Sequence, residues 1–361
     1  MGQGNAIRET VLVTGGTGFV AGWCIVELLK RGFVVRTTVR KLDAQPAVLA
    51  AIATTGVPVD RLRVFAADLT SDAGWDAAMA GCDFVLHVAS PLGGAGESDP
   101  DAFVAPARDG TLRVLAAATR AGVQRVVMTS AAAAARTPMR SNQISDESVW
   151  SDPDDPRFDP YRRSKILAER AAWDFMADKA TTLTTILPGA VFGPVLSKTS
   201  MSSVRIIAGM LGGQPRRLAK LGFWIVDVRD LAALHVSAMA KPEAAGQRFL
   251  ATGDFLWMSE IAATLRARLG TRGAKVPSGT VPNLIVRLVA RFNPALRGLT
   301  AELGRRNDVT SEKARTVLGF SPRPAAETLV DCAESVLADP AGALDAPRPA
   351  ATARPEGELT R

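Results

Sequence analysis

Residues 11–29, VLVTGGTGFVAGWCIVELL, run from an apolar β-branched segment through a glycine-rich turn into a helical pattern. Residues 10–14 read as a strand and Phe19–Lys30 as a helix, which sets Gly15, Gly18 and Ala21 at the strand-to-helix turn. Small residues there let backbone approach a pyrophosphate, and the N–H groups that open a helix favour its negative charge. A glycine-rich turn alone is a weak signal. With a strand before it and a helix after it, the turn reads as a dinucleotide cradle, with Thr14, Gly15, Thr17, Gly18, Phe19 and Val20 as expected cofactor-binding residues.

Outward from this turn the alternation continues. Strands are expected at Val34–Val39, Leu62–Ala66, 84–89, Arg125–Thr129 and 184–187, with helices at 46–55, 74–80, 106–121 and 161–179 between them. Apolar strands alternating with helices predict a parallel sheet covered on both faces. Beyond Pro188 the rhythm loosens, with helices at 230–240, 259–269 and 283–292. The expected fold is α/β, a doubly wound parallel sheet of Rossmann type with a smaller C-terminal α+β lobe. Residues 1–187 form the nucleotide domain and 188–338 mainly the substrate lobe, with a return segment at 224–250 packing on the first domain. Residues 339–361, rich in Ala, Pro and charge, are expected to be a disordered tail. The stripe Ile285, Leu288, Val289 and Phe292 falls on one helical face and is expected to pack in the core.

The second strand selects the coenzyme. NAD enzymes place an acid there for the ribose hydroxyls, whereas a 2′-phosphate calls for arginine. Here the strand ends VVRTTVRK, with Arg36, Arg40 and Lys41 and no acid before Asp43. NADP(H) is therefore expected, with Arg40 as the main contact and Lys41 beside it.

Tyr161 opens YRRSK and is the only tyrosine in the chain. Tyr161 and Lys165, four apart, share one helical face, so the ammonium is expected beside the phenol, lowering its pKa toward the working pH. Such a pair past a dinucleotide turn suits acid/base chemistry better than an ordinary helix turn.

Composition narrows the alternatives. The 361 residues are 47% hydrophobic and 22% charged, as in an ordinary globular chain. Cys24, Cys82 and Cys332 have no CxxC spacing, and the two histidines, His87 and His235, are too few for most metal sites. No metal is expected. The net charge of +7 is interleaved with acids and has no long basic block, so nucleic acid is not an expected partner. No apolar run is long enough to span a bilayer, and the start MGQGNAIRET has neither an apolar signal core nor Ser or Thr at Ala6 for myristoylation. A cytoplasmic protein without a membrane partner is expected, as monomer or homodimer.

The motifs TGGTGFVAGW, TTVR, ADL (67–69), GCDFVLHVASP (81–91), RVVMTS (125–130), DESVW (146–150), YRRSKILAE, LPGAVFGP (187–194) and VDVRDLA (226–232) occur in that order. Together the chain resembles an extended short-chain dehydrogenase/reductase, specifically the dihydroflavonol reductase, cinnamoyl-CoA reductase and NADPH-dependent aldehyde reductase group. The resemblance implies that Asp68 and Leu69 bracket the adenine and that Val88, Ala89 and Ser90 pass the ribose and phosphates. By the same resemblance Thr129 lies near the coenzyme, and Pro188 and Gly189 approach the nicotinamide. His87 reads as a packed, hydrogen-bonded strand residue. Asp227 and Arg229 read as part of the segment that secures the small lobe. Phe192, Phe223 and Trp224 either line a carbonyl pocket or belong to the core.

One departure stands out. The group has T-S-S after the fifth strand, its second serine bonding the substrate carbonyl, whereas this chain has Thr129, Ser130, Ala131. Either Ser130 supplies the hydroxyl through a backbone shift or the site works without a serine. The expected activity is hydride transfer between NADPH and an aldehyde, ketone or β-keto ester, with Tyr161 as proton donor, Lys165 holding the ribose and Ser130 polarising the carbonyl. Alternatives are an NAD-dependent nucleotide-sugar epimerase or dehydratase and a non-catalytic NADP sensor.

Overall fold

Val11, Leu12 and Val13 are fully buried, because β1 (Thr10–Val13) runs through the centre of a sheet covered on both faces. The computed structural model describes residues 9–91, 104–138, 143–155, 158–197, 203–293 and 298–338. The expected tail at 339–361 lies outside them.

The chain continues through α1 (Phe19–Lys30), β2 (Val34–Val39), α2 (Gln45–Ala53), β3 (Leu62–Ala66), α3 (Trp75–Met79) and β4 (Phe84–His87). Next come α4 (Val104–Arg120), β5 (Arg125–Thr129), α5 (Pro160–Met176) and β6 (Thr182–Pro188). Asp159 starts α5 by accepting a 2.8 Å hydrogen bond from the Arg162 N–H, and Pro160 follows at a position where a missing N–H costs nothing.

After β6 the chain leaves the large sheet. It forms β7 (Ala190–Phe192), α6 (Val204–Leu211), β8 (Gly222–Asp227) and α7 (Val228–Ala240). It returns to the large sheet in β9 (Arg248–Ala251), then continues with β10 (Phe255–Trp257), α8 (Met258–Leu269), α9 (Asn283–Ala290) and a last helix, α10 (Ala325–Ala338).

The large sheet has seven strands in the order β3-β2-β1-β4-β5-β6-β9, all parallel. The strand order reverses between β1 and β4, so a crevice opens beyond their carboxyl ends. One face buries Ile25, Leu28, Val35, Leu234 and Val236 under α1 and α7, and the other buries Val114, Leu115, Ala168 and Ala172 under α4 and α5. A small sheet, β10-β8-β7, carries a separate core that includes Ile207, Ile225, Ile261, Leu265 and Leu329.

The expectation for α9 is corrected. Ile285, Leu288, Val289 and Phe292 are 49%, 59%, 44% and 82% exposed, while Val286 and Ala290 are the residues it buries. The helix is amphipathic as the period implies, but its broad apolar stripe points away from the protein.

Candidate active site

The turn after β1 is built by contacts from β2 as much as by its own glycines. Gly15 has φ +77°, a left-handed conformation that glycine adopts without a Cβ penalty. Its N–H donates to Thr38 Oγ1 at 3.0 Å, and the Gly16 N–H donates to the Thr38 carbonyl at 2.8 Å. Thr37 Oγ1 donates to the Val13 carbonyl at 2.8 Å, and a Cβ on Gly16 would stand 2.4 Å from that hydroxyl. Gly16, Thr37 and Thr38 lie within the motifs TGGTGFVAGW and TTVR, which assigned them no role. Their signal is two threonines on a buried strand beside a double glycine.

A second anchor crosses the crevice. Thr14 Oγ1 accepts from the Val88 N–H at 3.1 Å and the Ala89 N–H at 2.9 Å, joining the loops after β1 and β4. Its one proton then goes to His87 Nδ1 at 3.0 Å, which leaves Nε2–H to donate to Thr111 Oγ1 at 3.3 Å. This tautomer follows from the network. His87 is buried, and burial, with Lys165 nearby, pushes its pKa down to about 3. It is a neutral packed residue, as the sequence implied.

These features fit a dinucleotide phosphate. Gly18 caps α1 with no side-chain hydrogen bond, so the first helical turn presents N–H groups toward the crevice. A Cβ at Gly15 would come 3.0 Å from the Ala89 Cβ, so the backbone there is open only because it is glycine. Thr17 is exposed, Val20 is half-buried, and Phe19 is buried in the small-lobe core.

At the far edge of the crevice Arg40 and Lys41 are exposed at the end of β2. Arg36 is engaged elsewhere, donating to the Ala78 carbonyl at 3.2 Å with its guanidinium 5.2 Å from the Phe65 ring. Asp68 Oδ1 accepts from both the N–H and the hydroxyl of Thr70 at 2.8 Å. Those bonds hold its carboxyl below the usual carboxylate range, with smaller help from Arg40 and Arg113. Arg40 thus shares an edge with Asp68 and Leu69, while Ser90 is half-buried on the loop after β4.

Across the crevice α5 carries Tyr161 and Lys165. Lys165 is 5% exposed, and its Nζ donates to the Thr129 carbonyl at 3.2 Å, at the carboxyl end of β5. Burial pushes its pKa down to about 8 against the pull of Glu169. The Thr129 hydroxyl meets His235 Nε2 at 2.7 Å, and His235 Nδ1 lies 2.8 Å from the Leu231 carbonyl.

Tyr161 corrects one expectation. It remains 37% exposed overall, yet protein around the phenol desolvates it, and its pKa is raised by that burial and by Asp159. The cation opposing this is Arg162, whereas the Lys165 ammonium is directed at the Thr129 carbonyl. The phenol is accordingly held in its protonated form.

Ser130 corrects another. Its hydroxyl donates to Glu169 Oε2 at 2.5 Å, in a buried cluster where Glu169 Oε1 accepts from Thr185 Oγ1 at 2.8 Å and from Arg248 Nε at 2.9 Å. Side chains alternate along an extended segment, so Thr129 and Ser130 point to opposite sides. The backbone shift that would bring Ser130 to a carbonyl is not present. Ala131, at the next position, has no hydroxyl to offer.

Phe192 is fully buried among small-lobe apolar residues. Phe223 is half-buried against the same core. Trp224 donates its indole N–H to the Asn307 carbonyl at 2.7 Å, with the Arg306 guanidinium 5.2 Å from its ring. Pro188 is buried, and Gly189 must lack a Cβ because one would stand 2.2 Å from the Trp224 carbonyl. Asp227 caps α7 and pairs with Arg229, which also reaches Asp331 on α10 at 2.7 Å.

Residues 11–251 match the model of the NAD dependent epimerase/dehydratase family. Cinnamoyl-CoA reductase 1 of Petunia hybrida is 37% identical over 261 residues, covering 71% of this chain and 76% of that protein. The ketoreductase azaE of Aspergillus niger is 32% identical over 356 residues, covering 92% of this chain and 98% of that one. Among solved structures, yeast methylglyoxal/isovaleraldehyde reductase Gre2 complexed with NADPH has a TM-score of 0.76 at 23% identity, covering 91% of this chain and 98% of that chain. Vestitone reductase from alfalfa gives 0.72 at 24% identity, covering 92% and 99%. At these identities the structural likeness speaks for the fold.

Proposed function

The chain belongs to the NAD dependent epimerase/dehydratase family, within the extended short-chain dehydrogenases/reductases, and from that premise we propose that it is an NADPH-dependent carbonyl reductase. The observation that carries this reading is the glycine turn and the Thr14-bridged loops at the carboxyl ends of β1 and β4, with the buried Lys165 ammonium at the carboxyl end of the neighbouring β5. Its reductase relatives support the same direction.

When bound, the coenzyme supplies the hydride that the chain itself cannot make. Gly15, Gly18 and the first turn of α1 hold the pyrophosphate, and Arg40 with Lys41 take the 2′-phosphate. Lys165 bonds the nicotinamide ribose, and Tyr161 holds a proton for the carbonyl oxygen. A raised phenol pKa suits this direction, since a proton donor must be protonated before turnover. With Ala131 in place of a serine, no hydroxyl from that position polarises the carbonyl, which favours intrinsically reactive aldehydes, ketones and β-keto esters as substrates.

The same Ala131 favours one second reading, a protein that binds NADPH without turnover. Mixing the full chain with NADPH or NADH and a panel of such carbonyl compounds separates the two by the absorbance of the reduced coenzyme. Steady loss of NADPH, slower with NADH, is expected. Arg40→Ala should weaken NADPH at least about tenfold more than NADH, the size of a charge-assisted contact. NADPH binding with no turnover on any carbonyl would overturn the reductase reading in favour of the sensor, and NAD copurifying with the chain would favour an epimerase.

A further inference from the structure

Among the described residues, nothing covers the apolar side of α9. At 100° per residue, Leu284, Ile285, Leu288, Val289 and Phe292 span an arc of about 140°. They are 78%, 49%, 59%, 44% and 82% exposed. Soluble proteins rarely leave so many large apolar side chains together in water unless something seats on them. Leu299, shortly after the helix, is also exposed.

Charge identifies the occupant. Residues 261–301 contain no Asp or Glu, yet Arg266, Arg268, Arg272, Lys275, Arg287, Arg291 and Arg297 fall within them. Arg287 and Arg291 border the apolar arc on its Leu284 and Leu288 edge, and Arg268, Lys275, Arg287 and Arg291 are all exposed. Arg272 is paired with Glu334 on α10, whereas Arg287, exposed beside the arc, would be brought against its own counterpart if a second copy of the chain seated there. Residues 339–361 hold only Leu344 and Leu359 as large apolar side chains. An apolar face edged by arginine is complementary to a surface that is anionic outside and apolar beneath.

We infer that α9 docks the protein on an anionic phospholipid surface. The helix lies in the headgroup plane, with Leu284, Ile285, Leu288, Val289 and Phe292 entering the acyl boundary and the arginines meeting lipid phosphates. No helix among the described residues is long and apolar enough to cross a membrane, so the contact is peripheral. Each cation near such a surface raises partitioning about fivefold, and the attraction fades with salt.

The test is cosedimentation of the full chain with vesicles of phosphatidylcholine alone or with one third phosphatidylglycerol, at low and high salt. Binding at least about tenfold greater on the anionic vesicles, lost in high salt, is expected. Leu288→Glu with Phe292→Glu should reduce binding to the phosphatidylcholine level at an unchanged melting temperature, since both side chains are exposed in the fold. Arg287→Glu, which leaves the apolar arc intact, should reduce only the anionic preference. Equal binding to both vesicle types, or parent-like binding by the double variant, overturns the proposal. So does a dimer in light scattering that the double variant turns monomeric without any vesicle binding, because the face then serves self-association.

Discussion

Ser130 carries a hydroxyl bonded to Glu169, and Ala131, where the resembling group has its second serine, carries none. Ser130 donates to a fully buried carboxylate, Glu169, that also faces Arg248 and Thr185. Hydrogen bonds to buried charge are worth about 1.5–3 kcal/mol. Ser130→Ala should therefore lower unfolding free energy by about that much while changing kcat by less than about threefold, measured by urea melts and steady-state rates side by side. Ala131→Ser should act oppositely, raising turnover by at least about tenfold, since one oxyanion donor is worth about 10² to 10³ in related chemistries. A large loss of turnover in Ser130→Ala, with stability unchanged, would return the catalytic role to Ser130. The sequence showed the missing serine but not the fate of its neighbour, because Glu169 and Arg248 lie far along the chain and meet Ser130 only after β5, β6 and β9 pair.

Element by element, legibility followed the strength of the local pattern. Val34–Val39, Leu62–Ala66 and Arg125–Thr129 were readable to the residue, since β-branched runs bounded by turns have few other solutions. β9, Arg248–Ala251, was not readable as a strand: it is four residues long and begins with an arginine whose charge is met by Glu169. β7, β8 and β10 were missed for a similar reason, being short segments among glycines and prolines. For α9 the helical period was plain, but period tells which residues share a face and not what covers it. The glycine turn was legible from its own residues, whereas its support by Thr37 and Thr38 depends on β1 and β2 lying side by side.

The whole molecule is tied together at the carboxyl edge of the sheet by two buried neutral histidines. His87 links the β1 and β4 loops to α4, and His235 links α7 to the end of β5. Burial lowers their pKa values to about 3 and about 4. The unfolded chain takes up protons near the ordinary histidine value of 6.5, which the folded chain refuses, so stability is present above that pH and falls as the medium is acidified. At pH 5 each histidine removes about 2 kcal/mol. The urea midpoint should drop sharply between pH 7 and pH 5, and a midpoint constant over that range would mean that neither ring is held neutral. In the proposed reduction the proton comes from Tyr161, whose phenol burial holds in the protonated form. The decisive comparison is therefore Tyr161→Phe against the parent, with NADPH binding followed by fluorescence and carbonyl reduction by single-turnover absorbance. Expected are an NADPH affinity within about twofold and a reduction rate at least about 10² lower, because only the proton donor is removed. Reduction at the parent rate by Tyr161→Phe would contradict the assignment of this phenol as the acid.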